Sequence, residues 1–222
     1  MKRLIFSLCA LMLVAAADAQ VRRGNMITER TKIGIQGGLS VASQTFATLD
    51  GDWSSNPRYG GLAGVSLEVP IKNGLYFQPE LNYVNMGSRY VGEASLENGQ
   101  KVNNAKLVDN FNYVQLPLML KYRPLYSGFG IFGGPQVGLL TQMNSEAPGV
   151  GNKKDFTNLY KKYDIGGLVG VEYYFPNADD RAPQFGLGLR AQIGFTDVNG
   201  PSESSYASRR NNGIQLTAGV RF

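Results

Sequence analysis

Histidine is absent from this chain, and its single cysteine, Cys9, falls within the first twenty residues. Without imidazole there is no Ser-His-Asp triad, no histidine proton shuttle and almost no route to a zinc site. If the opening segment is removed, the remainder also has no thiol, no disulfide and no thiolate chemistry. Long apolar runs are missing too. After the first twenty residues nothing approaches the about 20 residues that a membrane-crossing helix needs. Mean hydropathy is −0.19, which taken alone reads as a soluble protein. Strands that cross a membrane escape that test, because half of each one is polar. Charge is sparse, at 18% of residues, and the net +5 is spread along the chain. It forms no basic block of the kind that binds nucleic acid.

The opening residues have a plan of their own. Lys2 and Arg3 precede a mostly apolar run from Leu4 to Ala17, followed by Ala17-Asp18-Ala19. A basic head, a short apolar core and small residues at alternate positions make a secretory signal peptide, with cleavage expected after Ala19. Cys9 lies too deep in the apolar core to be a lipid-attachment cysteine. We therefore divide the chain into a signal peptide (1–19), a polar leader (20–30) and one domain (31–222).

The domain reads as strands. In the stretch from Asn112 to Arg123, Val114, Leu116, Leu118, Leu120 and Tyr122 fall on one side, and Tyr113, Gln115, Pro117, Met119, Lys121 and Arg123 on the other. A period of two with unlike faces is a strand with two surroundings. Pro117 has no N–H for a ladder, which normally marks an edge or a bulge. The same alternation recurs from Ile33 to Val41, Tyr59 to Val69, Leu75 to about Tyr90, Gly128 to about Met143, Tyr163 to Phe175, Gln184 to Phe195, and Ile214 to Phe222, giving eight strands. Their connections alternate in length. Polar segments of about 42–58, 91–109, 144–162 and 196–211 are long, whereas Pro70-Ile71-Lys72-Asn73-Gly74, Pro124 to Ser127 and Pro176 to Pro183 are short. All long connections then lie at one end of an antiparallel ring. We therefore expect an all-β fold, an eight-stranded antiparallel up-and-down transmembrane β-barrel in the outer membrane, monomeric, with long external loops and tight periplasmic turns. At eight strands, side chains fill the lumen and leave no open pore.

Aromatic positions agree. Phe77, Tyr122, Phe129, Tyr173, Phe175, Phe185 and Phe222 fall near the short-turn ends. Tyr59, Tyr83, Phe111, Tyr113, Tyr163 and Phe195 fall toward the long-loop ends, so two interfacial girdles are expected. Glycine pairs such as Gly60-Gly61 and Gly133-Gly134 precede no Lys-Ser/Thr and open no helix. They read as sites of bulging and tight curvature rather than phosphate loops. Asp50-Gly51-Asp52 lacks the remaining ligands of a calcium loop and reads as an ordinary turn.

Two sets of charged residues stand out. Glu68, Glu80, Asp164 and Glu172, with Lys121, Arg123, Arg190 and Arg221, fall on the lumen phase. Buried charge must be paired, so a structural salt-bridge network is expected, with a paired-carboxylate hydrolase as the lesser alternative. The second set lies on the external loops: Lys153, Lys154, Lys161, Lys162, Arg209 and Arg210. It is a candidate surface for phosphates or acidic sugars of the outer leaflet, including lipopolysaccharide. No residue pattern calls for a cofactor or a metal.

The strand Tyr113-Val114-Gln115-Leu116-Pro117-Leu118-Met119-Leu120-Lys121-Tyr122 resembles the hallmark strand of the PorT-like outer-membrane β-barrel proteins of Bacteroidetes. Lys32 to Ser40, Tyr163 to Tyr173 and Leu189 to Val198 are similar to other strands of that family, so the resemblance spans the mature chain. It implies an outer-membrane barrel in which the final aromatic, Phe222, belongs to the insertion signal. The family's namesake is implicated in type IX secretion, which implies an accessory role in protein export. Three roles follow: a structural or surface-interaction barrel meeting partners through its loops, a secretion accessory, or a lipid- or glycan-modifying enzyme. The missing histidine weighs against the last.

Overall fold

A side-chain pattern that alternates apolar with polar is satisfied by a strand whose two faces meet different media, and nine strands form among the described residues. The computed structural model describes residues 30–46, 54–95, 101–124, 127–146, 154–177, 182–200 and 208–222. The expected signal peptide, nearly all of the leader, Asp50-Gly51-Asp52 and Lys153 lie outside them. The strands are β1 (Lys32–Phe46), β2 (Ser54–Lys72), β3 (Leu75–Ser95), β4 (Lys101–Tyr122), β5 (Phe129–Glu146), β6 (Lys154–Asp155), β7 (Tyr163–Tyr174), β8 (Gln184–Gly194) and β9 (Arg209–Arg221). A single 3-10 turn, Thr157–Leu159, precedes β7.

Eight of these make the ring, each antiparallel to its neighbours, with β5 joined to β7. Closure comes from β1, which pairs with β2 on one side and with β9 on the other, from Gly34↔Arg221 to Phe46↔Arg209. The two-residue β6 adds to the outer end of β5. Closure leaves no unpaired edge at hydrocarbon depth, which lipid requires.

The polarity of a soluble protein is inverted. Along β8, Gln184, Gly186, Gly188, Arg190, Gln192 and Gly194 are buried, while Phe185, Leu187, Leu189 and Ile193 are exposed. Leu39 is 64% exposed, whereas Glu80 is fully enclosed. Apolar groups face lipid and polar groups face the lumen. The girdles form from Phe77, Tyr122, Phe129, Tyr173, Phe175, Phe185 and Phe222 at one end, and Tyr59, Tyr83, Tyr163 and Phe195 at the other. Phe111 and Tyr113 are not girdle residues. They share the lumen phase of Gln115, are completely buried, and stack with centroids 6.3 Å apart.

At the short-turn end, Asn73 and Gly74 have φ of 51° and 79°. Both central residues of a type I′ hairpin turn need positive φ, which is why Asn-Gly stands there. Gly60-Gly61 falls in the register shift of the β2–β3 ladder between Pro57 and Leu62, the expected bulge. At Gly134 a Cβ would collide with the Leu118 carbonyl of β4, so glycine there permits close strand approach. Pro117 does not mark an edge, since β4 is paired on both sides. Instead the β3 ladder passes from Asn82↔Gln115 to Pro79↔Leu118 and leaves Pro117 outside the paired positions.

The strands run further than their apolar alternation. β4 has 22 residues, and β3 continues to Ser95, so most of the expected loop 91–109 is a paired ribbon. About 9–11 tilted residues suffice to cross the membrane. The surplus stands beyond the girdle, where a strand no longer needs an apolar outer face and alternation no longer marks it.

Candidate functional site in the lumen and at its mouth

Inward side chains stack in tiers from the short-turn end to the loop end. In the lowest tier Glu68 of β2 is the hub. Lys121 Nζ lies 2.8 Å from its Oε2, Arg123 Nη2 2.8 Å from its Oε1, and Arg221 Nη1 3.0 Å from its Oε2. Lys121 also pairs with Glu172 at 2.6 Å. Gln184 Oε1 accepts from Arg221 Nε at 2.9 Å and from Lys32 Nζ at 2.8 Å. The Tyr174 ring lies 3.8 Å from the Arg221 guanidinium, and the Tyr76 ring 4.3 Å from that of Arg123. Three cations thus share two carboxylates, and the aromatic faces take up part of the excess.

One tier up, Glu80 Oε2 accepts from Arg190 Nη1 at 2.7 Å, Gln36 Nε2 at 2.8 Å and Asn82 Nδ2 at 2.8 Å, and its Oε1 accepts from Gln78 Nε2 at 2.7 Å. Above it an amide layer crosses the lumen. Gln192 Oε1 accepts from Gln115 at 3.3 Å and Gln215 at 3.2 Å. Asp164 comes next, and it differs from expectation. Among the described residues it forms no ion pair. Its Oδ2 accepts from Asn211 Nδ2 at 2.9 Å and its Oδ1 from Thr196 Oγ1 at 3.0 Å. Asn211 in turn accepts from Gln44 at 2.9 Å, whose Oε1 accepts from Tyr90 at 2.6 Å. The expected charge network is therefore two separate clusters, around Glu68 and Glu80, with Asp164 held by neutral groups.

At the mouth Arg209 also departs from its expected loop role. Its Nη1 lies 3.3 Å from Asp109 Oδ2 and donates to the Tyr160 hydroxyl at 2.9 Å. Tyr160 packs edge-on against Phe111 at 5.0 Å, and with Phe156 it covers the lumen's apolar cluster of Val84, Met86, Phe111, Tyr113 and Leu140. Backbone bonds tie this segment to the one before β9: Lys161 N donates to Val198 O at 2.9 Å, and Gly200 N to Leu159 O at 3.0 Å. Outside, Asp155 accepts from both the backbone and the hydroxyl of Thr157, which hold its carboxyl below the usual range. Of the remaining loop cations, Lys154, Lys162 and Arg210 are exposed, and Lys161 Nζ donates to the Asp197 carbonyl at 3.0 Å.

Chemically this is a packed lumen with engaged carboxylates. Among the described residues no group of three or more acidic, histidine or cysteine side chains could hold a metal. An external trough of about 460 Å³ lined by Ile35, Phe185, Leu187, Ala218 and Val220 faces the hydrocarbon and is apolar. The sequence reading missed Asp109, Tyr160 and the amides Gln36, Gln78 and Asn82. Lumen phase marked the amides all along, but Tyr160 lay in a segment without periodicity.

The profile of the outer membrane protein beta-barrel domain family matches residues 18–200, most of the chain. The chain belongs to that family. No curated protein matches it. Among solved structures it is similar to Ail of Yersinia pestis, with 11% identity, a TM-score of 0.47, and 87% of this chain and 100% of that one covered. It is also similar to neisserial surface protein A (15%, 0.44, 87% and 98%) and to OprG of Pseudomonas aeruginosa (13%, 0.38, 86% and 95%). At these values the likeness carries no functional argument. As an outer-membrane β-barrel domain, the chain resides in the outer membrane.

Proposed function

We propose that this barrel is a non-enzymatic, closed scaffold that works through its extracellular end, meeting acidic envelope glycans or lipopolysaccharide there. The observation that carries the reading is the filled lumen: tiers of bonded side chains occupy it, and Phe156 and Tyr160 pack over the top. A barrel with its interior committed to packing offers its external surface for work. The exposed cations Lys154, Lys161, Lys162 and Arg210 supply the charge for acidic sugars and phosphates. In this reading the barrel is a monomer, and the closed ring supports it by leaving no edge strand in the ring for a second copy to pair with.

The test is binding of lipopolysaccharide and acidic polysaccharide to proteoliposomes. Wild-type protein binds, and a variant with Lys154, Lys161, Lys162 and Arg210 all replaced by glutamine loses most of that binding. Equal binding by both overturns the reading, as does stable conductance of pure protein in a planar bilayer. The likeness to PorT-like barrels supports a second role in protein export. A deletion strain with an unchanged secreted-protein profile removes it.

A further inference from the structure

One polar cluster lies on the outer wall rather than in the lumen, and nothing above uses it. On β3 the lumen phase is Gln78, Glu80, Asn82, Val84, Met86 and Ser88, all buried. Tyr83, Asn85 and Arg89 take the opposite phase. On β4 Phe111 and Tyr113 point inward, so alternation gives Asn110 and Asn112 the outer phase of Val114, Asn110 half-buried and Asn112 buried within the wall. Asn85 lies directly across from Asn112. It is two residues beyond Tyr83, a girdle residue, and it is level with the place where the β4 apolar column Leu120, Leu118, Leu116, Val114 ends. That is the depth of the outer-leaflet headgroups.

The hydrogen bonds fix the amide orientations. Arg58 lies where the β2–β3 ladder is interrupted, and it donates to Asn85 Oδ1 and, at 3.2 Å, to the Met86 carbonyl. A guanidinium has no acceptor, so Asn85 must present its oxygen to Arg58 and its Nδ2 to the other side. Asn85 Nδ2 donates to Oδ1 of Asn110, at 2.6 Å, and of Asn112. Each of the three amide oxygens thereby accepts a bond from within the cluster. What the cluster offers outward is mostly donors: Nδ2 of half-buried Asn110, the other N–H groups of Arg58, and exposed Arg89, with Asn112 buried beneath them. Arg89 is near enough to Arg58 for the two charges to repel, and among the described residues neither has a carboxylate within ion-pair distance.

We propose that Arg58, Arg89 and Asn110 form a binding site on the outer wall for the phosphate of a phosphorylated glycolipid in the outer leaflet. An excess of donors, two guanidiniums without a carboxylate among the described residues, and headgroup depth fit a phosphate, which offers several acceptor oxygens and takes bidentate bonds from arginine. The site rests on membrane placement and on different residues from the loop lysines, so the two readings fail separately.

The experiment is native mass spectrometry of refolded, detergent-solubilised full-length protein with diphosphoryl lipid A, chemically dephosphorylated lipid A and inorganic phosphate as probes. Wild type retains one diphosphoryl lipid A, and the dephosphorylated form binds at least about tenfold more weakly. Arg58→Gln with Arg89→Gln loses the same factor. Because Arg58 also fills a gap in the wall, a second variant leaves it in place. Arg89→Gln with Asn110→Asp puts a carboxylate among the donors and abolishes retention in protein that keeps its folded gel mobility. The loop-lysine variant retains lipid A as wild type does. Equal retention of the phosphorylated and dephosphorylated lipids overturns the proposal. So does wild-type retention by the Arg89→Gln, Asn110→Asp variant, or displacement of the lipid by millimolar inorganic phosphate.

Discussion

Near the short turns, Glu68 gathers Lys121, Arg123 and Arg221 within 3.0 Å; several tiers higher, Asp164 accepts from Asn211 and Thr196, both neutral. Both carboxylates are buried in one lumen, yet one stands in a field of charge and the other in a network of neutral amides. The consequence concerns what is left behind when each is removed. Taking away one partner of a buried charge cluster strands the others, whereas a neutral network re-pairs. The base of the barrel should be brittle and its upper half forgiving.

The sharpest way to break that contrast is Glu68→Gln. The change is nearly isosteric but leaves three cations facing one remaining carboxylate, Glu172. We expect a loss of about 3–5 kcal/mol, the range for stripping one partner from a buried pair. The temperature at which folded gel mobility is lost, and the urea midpoint in micelles, read it. A loss smaller than that of Asp164→Asn would reverse the ranking of the two ends.

Arg190→Met comes second. Glu80 keeps three amide donors, from Gln36, Gln78 and Asn82, so its charge is left partly solvated by the protein. The expected loss is about 2–3 kcal/mol. Adding Glu80→Gln should restore part of it, because the stranded charge is then gone. A double-mutant cycle with no coupling would show that the pair contributes packing alone.

The sequence displayed these two regions unequally. All eight lumen charges follow from period-two phase alone, because a strand in lipid has one face it must keep apolar. Phase says which side a residue faces, not which strand it meets across the lumen. Glu68 and Arg221 are 153 positions apart, and only ring closure makes them neighbours. Asp164 was grouped with the arginines for that reason. Beyond the girdle the signal disappears: no outer face there needs to be apolar, so paired strand to Ser95 and from Lys101 reads as a polar loop. Arg209 and Arg89 illustrate the result. The first reads as a solvated loop charge yet is bound to Asp109 and Tyr160, and the second went unnoticed on the outer wall.

Asp164→Asn tests the forgiving half. The new amide can present its oxygen to Asn211 and its Nδ2 to the Thr196 hydroxyl, which can rotate to accept. We expect a loss of no more than about 1 kcal/mol. Thr196 Oγ1 also accepts from the Ile165 backbone N–H at 2.9 Å, so the remaining cost lies in competition for that one oxygen. A drop comparable to Glu68→Gln would mean that Asp164 depends on its charge after all.

The smallest effect belongs to charge outside the lumen, and it extends the comparison from dry to wet. Lys154 and Lys162 are exposed, and replacing both by glutamine should leave stability within about 0.5 kcal/mol of wild type. Water already solvates these ammonium groups, so no partner is stranded by their loss. Salt screens them over about 8 Å at physiological ionic strength, and any attraction they exert on acidic glycans should fade as salt is raised. The double variant should therefore match wild type in urea midpoint while showing a shallower salt dependence of lipopolysaccharide binding. An altered midpoint with an unaltered salt dependence would place these lysines with the structural charges of the lumen, and the division between buried scaffold and working surface would have to be redrawn.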